Sequence, residues 1–369
     1  MNAFCILFSD SYENLGLSEL ASERTLASVP FGGRYRLVDF VLSSLVGAQI
    51  KNIGIITRNK YGSLMDHIGW GKDCDLNRKN GGIKFLTPFL KYNSSAMITN
   101  KTDALYSVID YVKNSLPEYC ILCDSNIVMN LDFEKLLRFH KEKEADISFV
   151  YKKMCPNDKE LEVTLDSTGK LIDTLYHQSF KDNEKNILLN VLVLKKELLL
   201  WLIDRGITYG WYSLEKNVIA HGFNDYKIYG YEHKGYASVI KCVEDFYKTN
   251  MDLLKKDVRL ELFHGKNPVL TRIKDSVPTI YEKNAKITNS IIADGSKLDG
   301  NIENCIVFRD VVVKKGAVVK NSILMQGTKV SENAILSGVI TDKDVNVGTG
   351  RILAGTKSMP FIITKGKTV

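Results

Sequence analysis

The chain has 369 residues, 44% apolar and 25% charged, the balance of a soluble globular protein with room for two domains and a sizeable core. Its net charge of +7 is spread without any block of five or six like charges, which argues against nucleic acid and leaves small anions as the natural partners of a few local Lys or Arg. Seven scattered cysteines read as reduced thiols of a cytoplasmic protein, the N-terminal apolar run lacks the basic flank of a signal peptide, and no run approaches the ~20 apolar residues of a membrane span.

Up to about residue 257, strand-like and helix-like segments alternate. NAFCILF reads as a buried strand. RLVDFVLSSLVGAQ has helical spacing, with Leu37, Phe40, Val41 and Leu45 on one face. KNIGIIT is strand-like, DALYSVIDYVKNSL is a helix stopped by Pro117, and EYCILC is the next strand. Cys120 and Cys123 form a CxxC inside that apolar run; with no second Cys/His pair at metal-site spacing, core packing is the expectation. ADISFVYKK and NILLNVLVL continue the pattern. Such alternation predicts a doubly wound α/β domain over 1–257, with a mostly parallel sheet.

The segment 258–280, carrying two of the seven prolines, reads as a linker. From 281 to 369 the period changes. Val307, Val313 and Val319 are six apart, and so, after one offset, are Leu324, Val330 and Leu336. A six-residue period predicts a parallel β-helix of hexapeptide repeats. A β-sandwich with chance spacing is the alternative.

A doubly wound domain carrying VPFGGRYRLVDF at 29–40, GIIT at 54–57, TDA at 102–104 and YKTNMDLL at 247–254, followed by a hexapeptide β-helix, resembles the glucose-1-phosphate adenylyltransferase family of bacterial glycogen synthesis. The resemblance covers nearly the whole chain and implies a left-handed β-helix. It also implies transfer of the adenylyl group of ATP to glucose 1-phosphate with Mg²⁺. That chemistry has requirements that this sequence departs from. The family's phosphate loop resembles LxxGGxGxRL, because a triphosphate needs close backbone approach and N–H donors. Here Phe8-Ser9-Asp10-Ser11-Tyr12-Glu13-Asn14-Leu15 holds no glycine pair, and Asp10 and Glu13 place carboxylates where phosphates would sit. Like charges ~4 Å apart repel by about 1 kcal/mol even in water. The family's lysine in RAKPAVPFGG falls on Leu26. Its two Mg²⁺-binding aspartates fall on Ser125, with Asp124 one residue early, and on Val239. A one-residue slip after a strand turns a side chain away unless the loop compensates.

Joint loss of four requirements implies no catalytic or metal-binding residues in this chain. It then resembles the regulatory, non-catalytic or weakly catalytic subunit that partners a catalytic sibling, with Mg²⁺ needed only by that sibling. The alternative is an active nucleotidyltransferase with a rearranged loop that works through Asp124. A third reading, acyl transfer by the β-helix, lacks a general base, since the last histidine is His264. In the family the FGGRYR region lies near the regulator site, so Arg34, Arg36 and Lys51 are the candidate residues for an anionic sugar phosphate or similar effector. The alternative is that the glycines only make a turn and the arginines sit in solvent or pair with Asp39. Asp103 reads as helix-start capping or as ligand-linked. His67, His140, His177, His221, His233 and His264 show no metal spacing, and Trp70, Trp201 and Trp211 stand alone.

Overall fold

The run FCILF lies within the strand Ala3–Phe8, all of it buried in the computed structural model. The structure describes every residue except 1, 13–15, 59, 70, 78–80, 89–97, 99, 156–159, 177–182 and 223. Glu13, Asn14, Leu15, Trp70 and His177 therefore lie outside the described residues.

Ala3–Phe8 is central in its sheet. It pairs parallel with Asn52–Ile56 and with Tyr119–Asp124, and Asn52–Ile56 pairs parallel with Gly82–Leu86. Strands covered on both faces read as unbroken apolar runs. Their side chains still alternate: Cys5, Leu7, Ile121 and Cys123 enter one core with Val38, Val41 and Leu45 of the helix Leu37–Gly47. Phe4, Ile6, Cys120 and Leu122 enter the opposite core with Leu199, Leu202 and Ile203 of the helix Lys196–Tyr209. Cys120 and Cys123 thus face opposite sides of the sheet, and packing is their role.

Beyond Tyr119–Asp124 the direction changes. The strand Lys185–Lys195 runs antiparallel to it and to Ile147–Met154, while Ile228–Glu232 runs parallel to Ile147–Met154. Leu161–Leu165 and Leu171–Tyr176 form an antiparallel pair at the sheet edge. The long helix read from DALYSVIDYVKNSL is two, Lys101–Ser107 and Ile109–Asn114, broken at Val108. No glycine or proline marks that break.

The C-terminal part is a left-handed parallel β-helix with three five-stranded parallel faces. Leu298, Val313, Val330 and Val347 stack in register on one face, and Ile302, Val319 and Leu336 on the next. All are in the interior of the coil. The offset between the two hexapeptide series falls at a corner where Asn321 takes φ 46°, a left-handed conformation that asparagine tolerates better than most residues. On the third face Ile306, Ile323 and Ile340 are register partners that point outward. They are nonetheless buried, because with Phe308 and Met325 they share a core with Leu26, Phe31, Phe40, Phe246 and Leu253 of the N-terminal part. The helix Lys256–Phe263 straddles the expected boundary at 257, and the segment after it is tied down, with Ser43 Oγ accepting from Leu270 N at 2.8 Å.

Candidate functional site

The structure has two concave sites of interest: a cleft over the sheet, and a pocket between the sheet domain and the β-helix that the FGGRYR segment lines.

The cleft opens where Phe8 and Asp124 end adjacent parallel strands, in register. The loop after Phe8 is occupied by its own contacts. Asp10 Oδ1 accepts from the Leu26 backbone N–H at 2.9 Å, so a carboxylate of the chain stands on the turn Leu26–Ser28. Burial raises the Asp10 pKa against the pull of that hydrogen bond. Tyr12 lies edge-on to Phe8 with the Arg58 guanidinium over its ring at 5.0 Å, and its carbonyl accepts from the Tyr212 hydroxyl across the cleft. Leu26 points into the shared apolar core.

Asp124 does line the cleft despite the one-residue slip, and Val239 lines it without a carboxylate. The second acid comes from Glu215, in a helical turn far along the chain. Between them sits the Lys101 ammonium, 2.8 Å from each carboxylate, and Asn190 donates to Asp124 at 2.8 Å. Burial opposes charge on Lys101, but the two carboxylates outweigh it and raise its pKa. The same ammonium holds Glu215 ionised against its burial. Sequence reasoning missed Lys101 and Glu215. The one signal was a lysine opening the helix KTDALYS directly behind its cap at Asn100. Asp103 belongs to the cap of that helix: its N–H donates to Asn100 Oδ1 at 2.8 Å, and its carboxylate accepts from Asn100 Nδ2 at 2.6 Å.

The second pocket is built by the hairpin of Pro30–Phe31 with Tyr35–Arg36. Gly32 and Gly33 turn it at φ 60° and 87°, where only glycine is unstrained, and Gly33 lies close to the β-helix backbone at Val307. Arg34, Arg36, Arg272, Lys274, Arg309 and Lys343 all line the pocket. Arg34 is exposed, with its guanidinium 5.7 Å from the Tyr35 ring centre. Arg36 Nη1 donates to the Ser63 carbonyl and hydroxyl at 2.6 and 2.8 Å, while its backbone N–H, not its side chain, takes Asp39. His67, which also lines the pocket, is 2.7 Å from Asp39.

The cations crowd one another. Burial, then Arg36, Arg24 and Lys274, push the Lys343 pKa down to about 8. Burial, then Arg309, Arg272 and Arg36, lower that of Lys274. The Arg36 pKa falls to about 10, chiefly through burial. Burial first, and then mutual repulsion, lowers the proton affinity of these cations. Lys51 is not brought here: it precedes the strand Asn52–Ile56, at the end away from the cleft, and its carbonyl accepts from Gly82 N.

This fold and these sites define a sugar-nucleotide-transferase-like protein carrying a hexapeptide β-helix. The family model described as nucleotidyl transferase matches residues 17–162, and that of the GlmU-like C-terminal hexapeptide matches 276–357. The chain is 34% identical to the glycogen biosynthesis protein GlgD of Bacillus subtilis, over 95% of this chain and 92% of that protein. It is 36% identical, with the same coverage, to GlgD of Geobacillus stearothermophilus. It is 29% identical to a glucose-1-phosphate adenylyltransferase of Clostridium botulinum, over 82% of this chain and 80% of that one. The chain belongs to the glucose-1-phosphate adenylyltransferase family, together with GlgD. Among the described residues, no helix is long and apolar enough to cross a membrane.

Proposed function

We propose that this chain is a regulatory, non-catalytic or weakly catalytic subunit of glucose-1-phosphate adenylyltransferase in glycogen biosynthesis, acting in the cytoplasm on a catalytic sibling that makes ADP-glucose from ATP and glucose 1-phosphate. The observation that carries the reading is the contrast between the two sites. The cleft has lost its phosphate loop and cationic lysine and has filled itself with an internal ion-pair cluster. The pocket at the β-helix gathers six cations for an anion such as a sugar phosphate. A protein under no selection would lose core packing along with chemistry, since most core substitutions destabilise; here both cores are intact.

The β-helix suits docking on a sibling's equivalent coils. Its second face carries an outward ladder of Val318, Ile335 and Ile352, the last two 42% and 72% exposed. Effector binding between β-helix and sheet domain would reach the sibling by favouring one arrangement of that interface.

Co-expression with the catalytic paralogue, followed by light scattering and kinetics, tests the reading. Co-elution and a changed substrate or activator response are expected. Separate elution and unchanged kinetics would refute it. Ile335→Lys and Ile352→Lys probe the docking face better than truncation, because removing the β-helix strips the shared core around Phe31 and Phe246.

One observation favours a second reading, an active enzyme with a rearranged loop: Asp124 faces the cleft. Pyrophosphate release by the purified chain at the rate of an ordinary family member would establish it.

A further inference from the structure

We propose that the Lys101 ammonium takes the place of a divalent cation in the cleft, so that Asp124 and Glu215 are neutralised from within and the cleft binds no metal. The inference concerns what the cleft holds and deepens the regulatory reading, which rests in part on the same ion-pair cluster.

The position is built, not incidental. Asp124 ends a central strand beside Phe8, and Glu215 approaches from the opposite wall. Two converging carboxylates in a cleft are an arrangement that would ordinarily take Mg²⁺ or Mn²⁺, which demand oxygen ligands on several sides. Here the space between them is filled by Nζ, at 2.8 Å from each acid. The lysine cannot easily leave. It opens the helix Lys101–Ser107 behind the N-cap Asn100, its backbone N–H donates to the Tyr212 carbonyl at 3.1 Å, and its ammonium lies 5.1 Å from the Phe8 ring centre.

The neighbouring amides are engaged through their nitrogens, and Asp124 Oδ1, buried and without a hydrogen-bond partner, faces the ammonium at 2.8 Å. Asn190 donates to Asp124, and the neighbouring Asn126 amide donates to the Ile240 carbonyl at 2.9 Å. Val239 supplies no oxygen from its side chain. Among the described residues no group of three or more His, Cys, Asp or Glu is placed to hold a metal. An ammonium offers three donors and no vacant coordination position, so it balances acid charge without presenting a Lewis acid to a phosphate. The Mg²⁺ that the family chemistry requires therefore does not fit this cleft as it stands.

The test compares wild type with Lys101→Met and with Lys101→Met/Asp124→Asn, using thermal unfolding with and without MnCl₂ and electron paramagnetic resonance of bound Mn²⁺. It needs neither sibling nor effector, so its outcome is read separately from the co-elution and kinetics that test the regulatory reading. Wild type is expected to show no Mn²⁺-dependent rise in Tm. Lys101→Met should gain one, together with bound Mn²⁺, and the double variant should lose both. If Lys101→Met folds only when MnCl₂ is present, that supports the proposal equally. Three results overturn it: Mn²⁺ bound by wild type and lost in Asp124→Asn; a folded Lys101→Met that takes up no Mn²⁺; or a Lys101→Met that folds neither with nor without the metal, which would make the lysine a packing element alone.

Discussion

Arg24 donates through its two terminal guanidinium nitrogens, Nη1 and Nη2, to the two carboxylate oxygens of Asp342, at 2.9 and 2.8 Å, across 318 positions of sequence, and both side chains are buried. The pair joins the segment leading into the Leu26 turn to the β-helix coil that carries Lys343. Removing one member of a buried ion pair strands the other, a cost of about 3–5 kcal/mol. Arg24→Met should therefore destabilise by that order. Arg24→Met/Asp342→Leu should recover part of the loss, because no charge is left unpaired. Denaturant unfolding of wild type, both single variants and the double variant gives the coupling; a double variant as unstable as the sum of the singles would show that the pair does not act as a unit.

Anion affinity should fall as pH rises through about 8. Lys343 binds its proton less readily in the fold, near pH 8, than the ordinary lysine value of 10.5. Between those values the unfolded chain holds more protons, so this group makes folding stability rise with pH. A bound anion does the reverse and favours the charged form, so it takes up a proton and binds best below pH 8. Arg24, Arg36 and Lys274 face the same ammonium with like charge, and Asp342 with opposite charge. Titration of sulfate by calorimetry at pH 7 and pH 9 is the check, with sulfate chosen because its own charge is constant. Lys343→Gln should bind more weakly at pH 7 and lose most of the pH dependence.

Arg34→Ala should weaken the same anion by roughly ten-fold or more, the usual order for a lost hydrogen bond to a charged group. Lys51→Ala should leave it unchanged, since Lys51 does not line the pocket. Arg36→Ala should cost both affinity and stability, because its guanidinium also holds Ser63. Equal effects of Arg34→Ala and Lys51→Ala would mean that general surface charge, not the pocket, attracts the anion.

The native thiols should resist alkylation in an order set by burial. Cys5, Cys120 and Cys123 are fully buried, and burial raises their pKa values well above the ordinary thiol range. Cys155 and Cys242 are partly exposed. Brief iodoacetamide treatment followed by peptide mass spectrometry should modify Cys155 first and Cys242 more slowly, because burial pushes the Cys242 thiol up to about 12. Early labelling of Cys120 or Cys123 would contradict a packing role for the CxxC.

Much of this molecule was written in its local sequence. Unbroken apolar runs marked the buried strands, because a strand covered on both faces has no polar side to display. The six-residue steps marked the β-helix, because each coil must repeat the same inward aliphatic positions. The loss of the glycine loop and of the cation at Leu26 was also legible, since those are single-residue chemical requirements. Strand direction was not: Lys185–Lys195 is antiparallel to its neighbours, and alternation of apolar residues is the same in either direction. Arg34 and Arg36 could be chosen from a motif, but Arg272, Lys274, Arg309 and Lys343 belong to no motif and meet them only where the β-helix packs against the hairpin. Lys101, Asp124 and Glu215 likewise come from three separate segments. Their joint charge state depends on burial and on distances of a few ångströms, quantities that no spacing along the chain encodes and that the tertiary packing alone decides.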